Sequence, residues 1–169
     1  IHLQSNINLH LDNNAEILFS SVLEDYLPVV FSRYEGTENY SYSPLIYAKD
    51  CENIAITGEG KLTGQGQDWI ELNNTTVTQS LYAMGDNNTP LSARIFGDID
   101  HLRCPSFIVF IKFHAVLLDG CHIGSCPFWT IRPVYSSDSI VRNINVMTDG
   151  KNNDGIDLDS SKNILIENS

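Results

Sequence analysis

A strand-like phrase that returns along the chain, apolar alternation within each copy, and Asn, Asp, Ser and Gly between copies predict an all-β fold of the parallel β-solenoid class. The phrase is Cys51-Glu52-Asn53-Ile54-Ala55-Ile56-Thr57-Gly58, then Phe113-His114-Ala115-Val116-Leu117-Leu118-Asp119-Gly120. It returns at Ser136 to Asn143 and at Ser161 to Asn168, with an earlier copy at Asn6-Ile7-Asn8-Leu9. The Asn-like register marks Asn6, Asn53, Ala115, Asp138 and Asn163 are 47, 62, 23 and 25 residues apart. These separations suggest a coil of about 24 residues, with two coils between the first pair of marks and a long insertion between the second. Ile54 alternates with Ile56, Val116 with Leu118 and Ile164 with Ile166, the period of a strand with one buried face; Ser139 breaks the pattern.

A repeat of this length carries one short strand and cannot close its own core, so it must stack on its neighbours. Helical repeats would need amphipathic stretches that the Asn-, Asp-, Ser- and Gly-broken segments do not provide. An antiparallel β-sandwich is the alternative fold for short strands with frequent turns. The whole of 1–169 reads as a single partial domain. The span from about Glu71 to Arg103 falls outside the ladder and reads as an inserted loop arm, of the kind that walls a cleft in a solenoid.

With 169 residues and 42% hydrophobic composition the chain can bury one sizeable core. Its 21 acidic against 10 basic residues argue against nucleic acid and membrane surfaces as partners, since both are polyanionic; a local basic cluster could still take an acidic sugar. No run approaches the ~18 apolar residues of a membrane span. The chain starts at Ile1 without a basic-then-apolar leader, so localisation has to be inferred from substrate. Cys51, Cys104, Cys121 and Cys126 lack zinc-site spacing and read as buried thiols with room for one disulfide. No metal and no cofactor are expected.

Several stretches taken in order resemble the family 28 glycoside hydrolases, the polygalacturonases and their relatives. They are Leu45-Ile46-Tyr47-Ala48, Ile56-Thr57-Gly58-Glu59-Gly60-Lys61-Leu62-Thr63-Gly64-Gln65-Gly66, Pro105-Ser106-Phe107-Ile108, Ser125-Cys126-Pro127-Phe128-Trp129-Thr130-Ile131-Arg132-Pro133-Val134 and Asn152-Asn153-Asp154-Gly155-Ile156-Asp157. The resemblance implies a right-handed parallel β-helix, here incomplete at the C-terminal end and at the N-terminal end. It also implies hydrolysis, with inversion, of α-1,4 bonds in galacturonan or another pectic chain, by a monomer acting on a pectic polysaccharide or oligogalacturonide. Action on so large a polymer implies a secreted or periplasmic protein.

Asn152-Asn153-Asp154-Gly155 is similar to the family's Asn-Thr-Asp-Gly motif, with Asn153 in the Thr place. By that resemblance Asp154 is one of three catalytic carboxylates, on the water-activating side, and Asn152 binds or orients the sugar. Inverting hydrolysis needs an acid and a base roughly 6.5–9.5 Å apart. The family's Asp-Asp acid pair would lie about one coil, roughly 24 residues, beyond Asp154. The chain by itself is therefore expected to be inactive. Two alternatives stay open: a carbohydrate-binding remnant, and a pectate-lyase-type eliminase on the same scaffold, which would need calcium and an Arg or Lys base.

Arg132 stands where relatives often carry His, and counting from the register marks places it beside Asp154 on the adjacent coil. Its planar fork suits a uronate carboxylate, against the plainer role of an ion pair with an acidic neighbour. The same count places Trp69 on that side. Arg33 is a further substrate-binding candidate in Ser32-Arg33-Tyr34-Glu35-Gly36, where Tyr34 could stack a sugar or simply pack a loop. Asp157 and Asp159 read as turn residues, outside the catalytic set.

Overall fold

The computed structural model describes residues 1–70, 76–101 and 103–169. The chain winds as a parallel β-helix. Its first turn runs through β1 (Ile7–His10) and β2 (Glu16–Leu18), leaves as a hairpin of β3 (Val30–Tyr34) and β4 (Thr37–Ser41), and returns as β5 (Ile46–Lys49). The second runs through β6 (Glu52–Thr57) and β7 (Lys61–Thr63), then the helices α1 (Gln67–Ile70) and α2 (Thr76–Asp86) and the short β8 (Ile95–Phe96), to β9 (Ile108–Ile111). The third turn is β10 (His114–Asp119), β11 (His122–Gly124) and β12 (Ile131–Val134). The fourth is β13 (Ser137–Arg142) and β14 (Asn145–Met147), closing on β12 through bridges at Ile156 and Asp159, and β15 (Lys162–Glu167) follows.

Three parallel sheets result, in the orders β1-β6-β10-β13-β15, β2-β7-β11-β14 and β5-β9-β12. The side chains that alternate inward in the first sheet, Ile54, Ile56, Val116, Leu118 and Val141, are buried in one continuous core. Ser139, the break in the pattern, is buried too; its hydroxyl donates to the Ser137 carbonyl at 3.1 Å and accepts the Val116 N–H at 3.3 Å. A polar residue thus sits in the core without an unmade hydrogen bond.

The register marks have a conformational cause. Asn6, Asn53, Ala115, Asp138 and Asn163 all lie at positive φ, 64°, 53°, 61°, 56° and 55°. Left-handed backbone costs most L-residues roughly 1–2 kcal/mol, and Asn and Asp tolerate it best. Their side chains also bond along the stack, Asn53 donating to Asn6 at 2.9 Å and Asn163 to Asp138 at 3.0 Å.

One expectation is corrected. β1 pairs directly with β6, Ile7 opposite Ile54, so the 47 residues between the first two marks make one coil rather than two. The excess length is the hairpin, whose strands face each other antiparallel from Val30–Ser41 to Tyr34–Thr37. Between the second and third marks the expected insertion is present, and β10 pairs directly with β6. The span expected as a loop arm is folded in its described part: α2 buries Val77 and Leu81 with Phe96, and β8 pairs with β4. Residues 71–75 and 102 of that span lie outside the described residues. The two insertions therefore form one structure beside the solenoid.

The hairpin covers the outer face of the β5-β9-β12 sheet. Val30 and Phe31 pack on outward-facing Tyr47, Val109, Ile111 and Val134, which is why those strands are buried on both faces. Tyr47 donates its hydroxyl to the Phe31 carbonyl at 2.9 Å, and burial pushes its phenol well above the usual value. All four cysteines are free thiols; burial pushes those of Cys104 and Cys121 up to about 11. No described helix is long and apolar enough to cross a membrane.

Ala115 is the one mark that is neither Asn nor Asp. Ala115→Asn is expected to stabilise the chain by about 1 kcal/mol by relieving the left-handed penalty, read as a higher urea midpoint at unchanged slope. A lower midpoint would show that the marks are not chosen for their backbone conformation.

Candidate functional site

The segment carrying Asp154 is laced to β12 by backbone hydrogen bonds. Thr130 N–H donates to the Asp154 carbonyl at 2.9 Å and Ile131 N–H to that of Gly155 at 3.1 Å, while Asp157 and Asp159 donate their N–H groups to Ile131 at 2.9 Å and Pro133 at 3.0 Å. The preceding turn is anchored by Asn153, whose side-chain amide donates to the Cys126 carbonyl at 3.1 Å and to the Thr148 hydroxyl. Asp154 is thus held by its backbone, while its carboxylate is exposed and has no side-chain partner among the described residues. It opens into a cleft of about 410 Å³ lined also by Arg33, Glu35, Trp129, Arg132 and Asp157. Asn152, at φ 56°, lies on the exposed turn outside this lining.

Arg132 is at the centre of a buried charge cluster. Its outward row runs Tyr47, Val109, Arg132 across the sheet, and Arg132 is 3% exposed. Its Nε donates to Asp157 at 2.9 Å, Nη2 to Asp159 at 2.8 Å and Nη1 to the Arg33 carbonyl, while the guanidinium lies 4.4 Å from the Trp129 ring centre. Burial pulls the guanidinium below the usual arginine value, and Asp159 and Asp157 oppose the shift. Arg33 completes the cluster, donating to Asp159 and, at 2.7 Å, to the Ser160 hydroxyl, with its guanidinium 4.7 Å from the centre of the Tyr135 ring. Of the two roles open to Arg132, the ion pair with acidic neighbours is formed in this structure, each of its three nitrogens donating one hydrogen bond within the cluster.

The sideways neighbour of Arg132 is Asp157, in correction of the adjacency to Asp154 that register counting suggests. Ile131 bridges to Ile156, an offset of two more than the 23 residues between paired β11 and β14. The two extra residues lie in the turn between Met147 and Ile156, so marks upstream of that turn miscount positions downstream of it. Trp69 is also not on the cleft: it is fully buried, edge-on to Tyr26 at 5.2 Å.

The hairpin tip forms the facing wall. Glu35 (φ 42°) and Gly36 (φ 89°) are the two central residues of a tight turn that needs positive φ at both. Tyr34 stacks on Trp129 with ring centres 4.9 Å apart and planes 13° from parallel, and Arg103 covers it at 3.1 Å. Tyr34 therefore packs the wall. α2 braces the tip, Tyr82 donating its hydroxyl to the Glu35 carboxylate. Sequence reading did not name Glu35, Trp129, Asp157 or Asp159 as site residues. The Glu-Gly pair between two alternating runs was a usable turn signal for Glu35, whereas the two aspartates acquire their partners only through winding.

No protein-family model matches the chain. The hyperthermoactive exopolygalacturonase of Thermotoga maritima superposes with a TM-score of 0.94 at 43% identity, over 99% of this chain and 40% of that one. The family 28 exopolygalacturonase of Yersinia enterocolitica (TM-score 0.71, 20% identity, 98% of this chain and 34% of that one) and the polygalacturonase of Erwinia carotovora (0.68, 19%, 98% and 42%) share the fold. A probable polygalacturonase of Arabidopsis thaliana is 29% identical over 118 residues, 70% of this chain and 20% of that protein. The chain spans less than half the length of each of these proteins.

Arg132→Met removes the guanidinium that Asp157 and Asp159 share, leaving Asp159 paired with Arg33 and Asp157, its side chain 35% exposed, partly in solvent. Leaving a fully buried charge unpaired costs about 3–5 kcal/mol; with one aspartate still paired and the other partly solvated, a smaller loss of about 1–3 kcal/mol is expected in urea unfolding. A loss below about 1 kcal/mol would mean that the cluster behaves as a solvated surface pair.

Proposed function

We propose that this chain, a relative of the polygalacturonases of glycoside hydrolase family 28 in sequence and fold, is the part of a pectin-cleaving hydrolase that carries one catalytic carboxylate, Asp154. The observation that supports this reading is the state of Asp154 among the four carboxylates lining the cleft. Asp157 and Asp159 are paired with arginine, Glu35 accepts from Tyr82, and Asp154 alone has no partner while its backbone is pinned. An exposed carboxylate on a rigid backbone is suited to orient a water and take its proton. In an inverting mechanism the water attacks the sugar's anomeric carbon as Asp154 takes its proton, and a second carboxyl group, roughly 6.5–9.5 Å away, protonates the leaving oxygen. In this reading the Asp-Asp pair of a following turn is that acid. Asn152 is proposed to steady the sugar from the rim.

Arg33 and Arg132, proposed from the sequence to bind substrate, keep a part in this reading by building the cleft wall. The likeness to an exopolygalacturonase at 43% identity favours cleavage at chain ends, and a polymeric substrate places the action outside the cytoplasm.

A reducing-end assay on polygalacturonic acid tests the reading. The 169-residue chain by itself is expected to bind without cutting. A form read on through further turns is expected to cut, and its Asp154→Asn version to lose roughly 10²–10⁴-fold in kcat. Full activity in the short chain, or an unchanged kcat in the substituted long form, would sink the assignment.

A further inference from the structure

We infer that the small cavity between the hairpin and the segment leading into β9 is a site for one monovalent anion of the size and charge of chloride, which neutralises Arg103 and ties the cleft wall to the solenoid. The inference does not depend on the pectic reading, since Asp154 takes no part in this cavity.

The cavity holds about 30 Å³, room for one or two water-sized occupants and far too little for a sugar ring. Its lining brings together three arginines, Arg33, Arg103 and Arg132, and three serines, Ser32, Ser41 and Ser106, with no described carboxylate. Charge balance singles out Arg103. Arg132 pairs with Asp157 and Asp159, and Arg33 with Asp159, so two guanidiniums meet two carboxylates. Arg103 is only 9% exposed, yet it forms no ion pair among the described residues. Its contacts are neutral: Nη1 donates to the Thr78 hydroxyl at 3.2 Å, and the guanidinium lies 3.1 Å from the Tyr34 ring centre and 5.8 Å from that of Phe128. Burial pulls Arg103 below the usual arginine value, opposed first by Tyr34 and then by Glu35, a carboxylate that is exposed and already accepts from Tyr82.

The second signal is Arg33. Its Nη1 carries both of its side-chain hydrogen bonds, while its Nε is buried without a partner, and a buried N–H left unmade is costly. Two arginines thus bring surplus donors to the lining of one cavity, and the serine hydroxyls beside them can turn to donate as well. An anion accepts from all of these groups and offsets the surplus charge of Arg103. A water molecule accepts from only two donors and leaves that charge uncompensated. Sulfate or phosphate exceeds the single surplus charge, and a metal cation has the wrong sign. An anion held here joins Ser32 and Arg33 of the hairpin to the Arg103 segment, at the back of the wall that Tyr34 and Trp129 build.

The test is urea unfolding of the 169-residue chain in sodium chloride, sodium bromide and sodium gluconate, whose anion is too large for the cavity, at matched ionic strength so that general screening is constant. The two halides are expected to raise the urea midpoint above that in gluconate and to saturate, lowering the unfolding constant about tenfold once the halide stands at about ten times its dissociation constant. The chloride NMR resonance is expected to broaden with added folded protein and to narrow again when bromide competes. Arg103→Gln is expected to lose both effects; should that variant not fold, the bromide competition on the unsubstituted chain decides. Equal midpoints in the three salts, with an unbroadened chloride resonance, would overturn the inference and leave the cavity to water. Broadening that persists undiminished in folded Arg103→Gln would place the ion elsewhere and overturn it as well.

Discussion

Backbone hydrogen bonds between successive turns are the constraint on which the rest of this molecule depends. Each inner strand of the winding satisfies its N–H and C=O groups with the strand one turn before and one turn after, so no turn has a core or a complete hydrogen-bond set of its own. Stacking demands that every turn change direction at the same place. The column of left-handed residues from Asn6 to Asn163 marks one such place, and Gly58 (φ 98°) and Gly120 (φ 95°) mark another. At Gly58 a side chain is excluded twice, since a Cβ there would stand 2.1 Å from the Leu11 carbonyl oxygen.

Stacking also sets what can be added. An insertion is tolerated where it leaves one turn and rejoins it without disturbing the neighbours, and both large insertions do so on the side leading into the β5-β9-β12 sheet. The hairpin lies across that sheet's outer face and α2 stands behind the hairpin. A wall made from two excursions needs fastening to the solenoid, and the Arg132 cluster supplies it, joining the Arg33 backbone to Asp157 and Asp159 one turn further on. Arg33, Arg132 and Asp159 are largely desolvated and lie in ion pairs, while Asp157 stays partly in solvent, the balance under which a buried ion cluster is tolerated.

Around Asp154 the same economy separates anchoring from chemistry. Backbone bonds to β12 and the Asn153 side chain hold the segment, so no side-chain partner has to restrain the carboxylate itself. Arg132 donates from each of its three nitrogens within the cluster, whereas Arg33 donates from its side chain through Nη1 alone and its Nε is buried without a partner.

Local chemistry by itself determined the strand repeat and the buried alternation of the strands, because each depends on residues a few positions apart, Asn at a left-handed corner and Ile54 with Ile56 on one face, whereas Asp154 stood out from an ordinary Asn-Asp-Gly turn only through the family resemblance. Length alone could not separate an extra coil from a hairpin, since 47 residues fit either; the direct pairing of Ile7 with Ile54 decided it. Nor could counting reach across the turn before Asp154, where two added residues move the position opposite Arg132 from Gly155, next to Asp154, to Asp157. The partners of Arg132 lie 25 and 27 residues away along the chain, and the carbonyl it binds lies 99 away. Such contacts are set by how many residues each turn holds, so whether that arginine met a sugar or an aspartate was decided only when the turns were stacked.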